Sequence, residues 1–67
     1  MTVEEAVAAL DTFLNDALLA GHAEVRVIHG RSGGRLRTAV HARLKQLSVV
    51  RALRLDPGNA GVTIVTL

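Results

Sequence analysis

The segment Glu24-Val25-Arg26-Val27-Ile28 runs straight into His29-Gly30-Arg31-Ser32-Gly33-Gly34, and helical periodicity begins on the far side. This junction constrains the fold more than any other feature of the chain. Val25 and Val27 alternate against Arg26 and Ile28, the period of a strand. Three of the chain's six glycines, Gly30, Gly33 and Gly34, follow at once. From about Gly34 onward, Leu36, Val40, Leu44 and Leu47 hold one stripe at the helical repeat while Arg37, His41 and Lys45 hold another. A strand that feeds a helix through a short turn returns to its sheet by a crossover, so the next strand is expected to run parallel to the first.

The flanking segments complete the pattern. Thr2-Val3-Glu4-Glu5 has the form of a capping box that starts a helix, with Val3, Val7, Leu10, Leu14, Ala17 and Leu18 on one stripe and Gly21 as its stop. Val49 to Leu55 reads as a strand. Asp56-Pro57-Gly58-Asn59-Ala60-Gly61 is dense in turn formers, and Val62 to Leu67 reads as a last strand, paired with the preceding one as an antiparallel hairpin. The order helix, strand, helix, strand, strand predicts an α/β two-layer sandwich with a mixed sheet. A chain of 67 residues is a single domain, 1–67, whose core must come from Leu, Val, Ile and Ala because Phe13 is its only aromatic. Three strands are few for two helices, and a helix starting at residue 2 has nothing before it to pack with. The chain therefore reads as a fragment of a larger protein whose first strand lies upstream.

Composition narrows the function. With no cysteine, disulfides, thiolate nucleophiles and cysteine-based zinc sites are excluded. One aromatic cannot make a base-stacking platform. No apolar run is long enough for a membrane span and no signal segment opens the chain, so a cytoplasmic protein without a membrane partner is expected. Glu4, Glu5, Asp11, Asp16 and Glu24 precede the first basic residue, whereas all eight basic residues fall between Arg26 and Arg54 in a stretch without a carboxylate. Such asymmetry points to a polyanionic partner.

The glycine loop is where that partner would meet the chain. The first amides of a helix have no intrahelical acceptor and sit at the positive end of its dipole, a ready anion site. Gly30, Gly33 and Gly34 let a phosphate approach bare N–H groups, Ser32 adds a hydroxyl, and Arg31, Arg35 and Arg37 add charge. His29 stands next to the anion, where an imidazole can exchange a proton with a phosphodiester oxygen near neutral pH. The loop lacks the Lys-Ser/Thr of nucleotide hydrolases and the spacing of a dinucleotide fingerprint. His22 reads as an exposed loop residue. His41 reads either as part of a phosphate-facing stripe or as a solvated position. Asp56 starts a turn, and Arg51 and Arg54 lie on opposite strand faces. No cofactor is indicated, and a divalent metal is left open.

Thr2-Val3-Glu4-Glu5-Ala6, Leu18-Leu19-Ala20-Gly21, Val25-Arg26-Val27-Ile28-His29-Gly30, Gly34-Arg35-Leu36-Arg37 and Gly61-Val62-Thr63-Ile64-Val65 together resemble the small MutS-related (Smr) domain over nearly the whole chain. The resemblance is to the copy at the C-terminus of the second family of bacterial MutS paralogues, the branch associated with recombination control and ribosome rescue. The resemblance implies a fold like the C-terminal domain of a translation initiation factor, here without its first strand. It also implies binding and nicking of DNA or cleavage of RNA, and a loop of the form His-Gly-x-Gly-x-Gly. His29, Gly30 and Gly34 match that loop, while Ser32 stands at its second glycine and Gly33 fills a variable position. The family's other signature, an Asp and often a His on a strand before the first helix, would lie upstream of Met1.

The expected function is thus an endonuclease module of a MutS-like protein, with His29 catalytic and Gly30, Arg31, Ser32, Gly33, Gly34, Arg35 and Arg37 holding phosphate. The expected partners are DNA, and RNA or the ribosome, with oligomerisation left to other domains of the parent. The alternative is a docking module for branched DNA or the ribosome that cleaves nothing.

Overall fold

Thr2 starts the first helix as its sequence context requires. In the computed structural model, which describes residues 2–30 and 34–67, α1 spans Val3–Leu19. The Glu5 amide donates to the Thr2 hydroxyl oxygen at 3.1 Å, and that hydroxyl donates to the Glu5 carboxylate at 3.2 Å. Glu4 and Glu5 place negative charge at the positive end of the helix dipole. At the other end, Gly21 takes φ +83°, the Gly21 amide bonds the Leu18 carbonyl and the His22 amide bonds the Ala17 carbonyl. This Schellman closure needs the left-handed residue that glycine supplies. The backbone of His22 therefore closes α1 while its residue as a whole is exposed, as expected.

Leu10, Leu14 and Ala17 carry the buried face of α1. Leu18, expected on the same stripe, is 42% exposed. One step past Ala17 it is turned by about 100°, away from the core. After β1 (Glu24–Ile28), whose Val25 and Val27 face inward, α2 runs over Arg35–Gln46 and buries Val40 and Leu44. β2 (Ala52–Asp56) starts three residues later than the sequence suggests, and β3 covers Asn59–Thr66. The turn between them is tighter than expected because Asp56 Oδ1 accepts from the Gly58 amide at 2.7 Å, so the chain reverses over Pro57-Gly58. β3 then begins within the stretch read as turn.

β1 and β2 run the same way, as the crossover through α2 demands, yet they are not neighbours. β3 lies between them and is antiparallel to both, giving the order β1-β3-β2. The described sheet is therefore antiparallel rather than mixed. The reason lies in β3: Val62-Thr63-Ile64-Val65 is buried at every position, a β-branched run that suits a central strand covered on both faces. β2, with Arg54, Leu55 and Ala52 exposed, suits an edge.

Both helices cover one face of the sheet. The core cluster joins Leu10, Leu14 and Ala17 of α1, Val40 and Leu44 of α2, Val25 of β1 and Val65 of β3. On the opposite face Arg26 and Arg54 flank Ile64, and Ile28 flanks Val62. An ion pair from Arg26 to Asp56 joins the two outer strands. Between the helices Arg43 grips Asp11 with two bonds, Nε to Oδ1 at 2.9 Å and Nη2 to Oδ2 at 2.8 Å. The fork geometry fixes the helix pair and holds the Asp11 carboxyl below its ordinary pKa, chiefly through the bonds from Arg43.

Two outcomes follow. Leu14→Ala empties a site only 2% exposed and should cost about 2–5 kcal/mol, whereas Phe13→Ala, at a residue 44% exposed, should cost less despite the larger ring; urea midpoints compare them. The lowered Asp11 pKa stabilises the fold above the ordinary carboxylate value near pH 4, and this is lost as pH falls through the lowered value. Asp11→Asn should flatten the acid side of the stability curve, read as unfolding midpoints at stepped pH.

Candidate nucleic-acid interface

The end of β1 is stitched to β3 before the loop begins. The His29 and Gly30 amides both donate to the Gly61 carbonyl, at 2.9 and 3.0 Å. Gly30 then takes φ +83°, and among the described residues no heavy atom lies within 4 Å of the place a Cβ would occupy, so its backbone dihedral is what calls for glycine. Arg31, Ser32 and Gly33, expected to hold phosphate, lie outside the described residues. Gly34, the N-cap of α2, has φ +70°.

The two helix starts differ in kind. α1 fills its own N-terminus with Thr2, Glu4 and Glu5, while α2 has no side-chain cap and no acidic residue in its first turn. Among the described residues no side chain accepts from its first amides, and Arg35 and Arg37 supply positive charge beside them. Arg35 is exposed. Arg37 folds back toward the cap, its Nη2 3.6 Å from where a Gly34 Cβ would lie. Thr38 is exposed, and its hydroxyl donates back to the Gly34 carbonyl at 2.8 Å. Gly34, Arg35 and Arg37 thus form one positive corner next to the end of β1.

His29 is at that corner but faces inward, only 7% exposed. Its Nδ1 lies 3.0 Å from the Gly30 carbonyl oxygen and its Nε2 lies 2.7 Å from the Thr63 hydroxyl. The same hydroxyl lies 2.7 Å from Nε2 of His41. The two imidazoles meet edge to face with centroids 5.9 Å apart. Thr63 is fully buried between them. His41 is half-buried, its Nε2 turned by α2 toward the sheet, where a buried hydroxyl needs partners, instead of lying wholly on a polar helix face. Its pKa is lowered by burial first, then by His29, Lys45 and Arg37.

Thr63 was missed in the sequence reading. Its signal was present: one hydroxyl in the otherwise aliphatic run Val62-Thr63-Ile64-Val65 must find a hydrogen-bond partner if the strand is central. Asp56 starts its turn as expected and in addition pairs with Arg26. Among the described residues, no group of three or more His, Cys, Asp or Glu side chains converges as a metal site would require, and no helix is long and apolar enough to cross a membrane.

Comparison with known proteins agrees with this architecture. The Smr domain profile matches residues 1–67. A protein named endonuclease MutS2 from Lachnospira eligens is 46% identical over 67 residues, covering 96% of this chain and 8% of the relative. The endonuclease MutS2 of Geobacillus kaustophilus is 44% identical over 64 residues, again 96% of this chain and 8% of the relative. The chain thus spans less than a tenth of the length of these relatives. The crystal structure of the Smr domain of Thermus thermophilus MutS2 superposes with a TM-score of 0.95 at 34% identity, covering all of this chain and 88% of that one.

The loop geometry makes one substitution diagnostic. Gly30→Ala meets no steric obstacle among the described residues, so its cost should be the left-handed backbone penalty, about 1–2 kcal/mol. Gly30→Asn, which tolerates that conformation better, should recover part of it. Chemical denaturation of the three proteins measures the difference.

Proposed function

Because this chain belongs to the Smr domain family, we propose that it is a nucleic-acid-binding module serving an endonuclease. The observation that carries the reading is the contrast between its helix starts. α1 neutralises its own N-terminus, whereas α2 offers a glycine cap and two arginines to an outside anion. A phosphodiester is such an anion, and Gly30, Arg31, Ser32, Gly33, Gly34, Arg35 and Arg37 are the residues assigned to hold it. Relatives named endonuclease MutS2 support a parent protein that cuts nucleic acid.

In this reading His29 is the general acid or base for nicking DNA or cleaving RNA. Its Nδ1 bonds a carbonyl of the exposed Gly30, and a phosphate oxygen seated at the α2 N-terminus would compete for that same N–H. Recombination control or ribosome rescue in the cytoplasm is the process such a module would serve, with assembly of the parent left to its other domains. A second reading, a docking module for branched DNA or the ribosome, is favoured by one observation: both ring nitrogens of His29 are already bound within the protein.

The readings separate by experiment. Arg35→Ala with Arg37→Ala should weaken binding to every sequence alike and reduce the salt slope by about one per lost phosphate contact. His29→Ala should leave affinity within a few fold but slow cleavage about a hundredfold or more. Both are followed by binding titration and by a plasmid-nicking or labelled-RNA time course, with the chain alone and within a longer protein carrying it. Unchanged cleavage in His29→Ala rejects the catalytic role, and a parent that never cleaves leaves the docking reading.

A further inference from the structure

The hydrogen bonds around Thr63 have a direction that can be worked out. A carbonyl oxygen only accepts, so the His29 nitrogen beside Gly30 O, Nδ1, must carry a hydrogen. In the neutral ring Nε2 is then the acceptor. Thr63 must donate its single hydroxyl hydrogen there, and so its oxygen accepts from His41, whose Nε2 carries the hydrogen. The chain therefore reads His41 Nε2–H to Thr63 O–H to His29 Nε2, ending with His29 Nδ1–H on the loop carbonyl. Each link is 3.0 Å or shorter.

From this geometry we infer that His41 is the positioning residue for His29, acting through the Thr63 hydroxyl to keep the exchangeable hydrogen of His29 on Nδ1, the nitrogen that faces the loop. While Gly30 O holds Nδ1–H, two bonds enforce that tautomer. Once a phosphate displaces the carbonyl, the His41–Thr63 link is what keeps Nε2 an acceptor. The same chain limits charge. If both rings were protonated, both Nε2–H groups would point at one oxygen and the Thr63 hydrogen would be left without an acceptor in a site with no solvent exposure. The groups facing His41 are His29 from the end of β1, Thr63 from β3, and Arg37 and Lys45 on α2. All the charges among them are positive and add to that limit, and burial of His41 acts in the same direction.

The consequence for cleavage rests on the proposed catalytic role of His29, but the tautomer does not, so the two can fail separately. The test is nitrogen NMR of the free chain above neutral pH, which reads which ring nitrogen of each histidine carries hydrogen and requires no nucleic acid. The expected result is Nδ1–H for His29 and Nε2–H for His41. His41→Leu removes the donor to Thr63, frees the hydroxyl to accept from His29, and should raise the Nε2–H form of His29 by roughly fivefold, the effect of one net hydrogen bond. His41→Gln, whose amide can donate to Thr63 in the same way, should restore the original tautomer. Thr63→Val breaks the chain at its centre and should leave His41 without a fixed tautomer. The proposal is overturned if wild-type His29 carries its hydrogen on Nε2, or if His29 in His41→Leu keeps Nδ1–H as fully as in wild type. The wild-type spectrum alone decides the direction of the chain even if a variant does not fold.

Discussion

Everything functional in this domain hangs on the burial of β3 between two strands that run the same way. Four consecutive residues of that strand each meet a different neighbour. Gly61, just before them, gives its carbonyl to the two amides that begin the loop. Thr63 and Val65 face the helices, one bonded to both histidines and the other in the core, while Val62 and Ile64 face away beneath Arg26, Arg54 and Ile28. Because side chains alternate along a strand, a slip of one residue would carry Thr63 to the far face and Ile64 toward the histidines. The register that packs the core is thus the register that assembles the site.

The charges divide along the same structural lines. The sequence separates acidic residues early from basic residues late, and the fold brings part of that separation together again. Arg43 is held by Asp11 across the helix pair and Arg26 by Asp56 across the sheet. These arginines serve the structure. At the start of α2, by contrast, Arg35 and Arg37 stand beside a glycine cap with no acidic side chain in the first turn. A net charge of +2 understates this corner, since the helix dipole adds to it. In the proposed reading, the partner suited to this corner is a phosphate backbone, an anion small enough to sit on backbone amides and repeated along a polymer.

Much of this was legible in the chain because the signals were local. The cap at Thr2, the stop at Gly21, the strand over Glu24–Ile28 and the stripe Val40-Leu44 each depend on residues within one or two turns of each other. Leu18 and the start of β2 were misread where the decision depends on which face the neighbouring element covers. His41 shows the limit most clearly. Its spacing with Arg37 and Lys45 is that of a polar stripe, and no local rule says that the middle member of the stripe is the one turned toward a buried threonine 22 residues away.

The sequence by itself determined the order of elements, the crossover that makes β1 and β2 run alike, and the placing of His29 and the glycines between strand and helix. Those features follow from periodicity and from the backbone freedom of glycine, which act over a few residues. Only the tertiary structure decided that β3 lies between β1 and β2, that the sheet is antiparallel, and that Thr63 joins His29 to His41. Strand order is a choice among long-range pairings of similar local cost. It is settled here by which strand can be buried on both faces, a property of the assembled core rather than of any single segment.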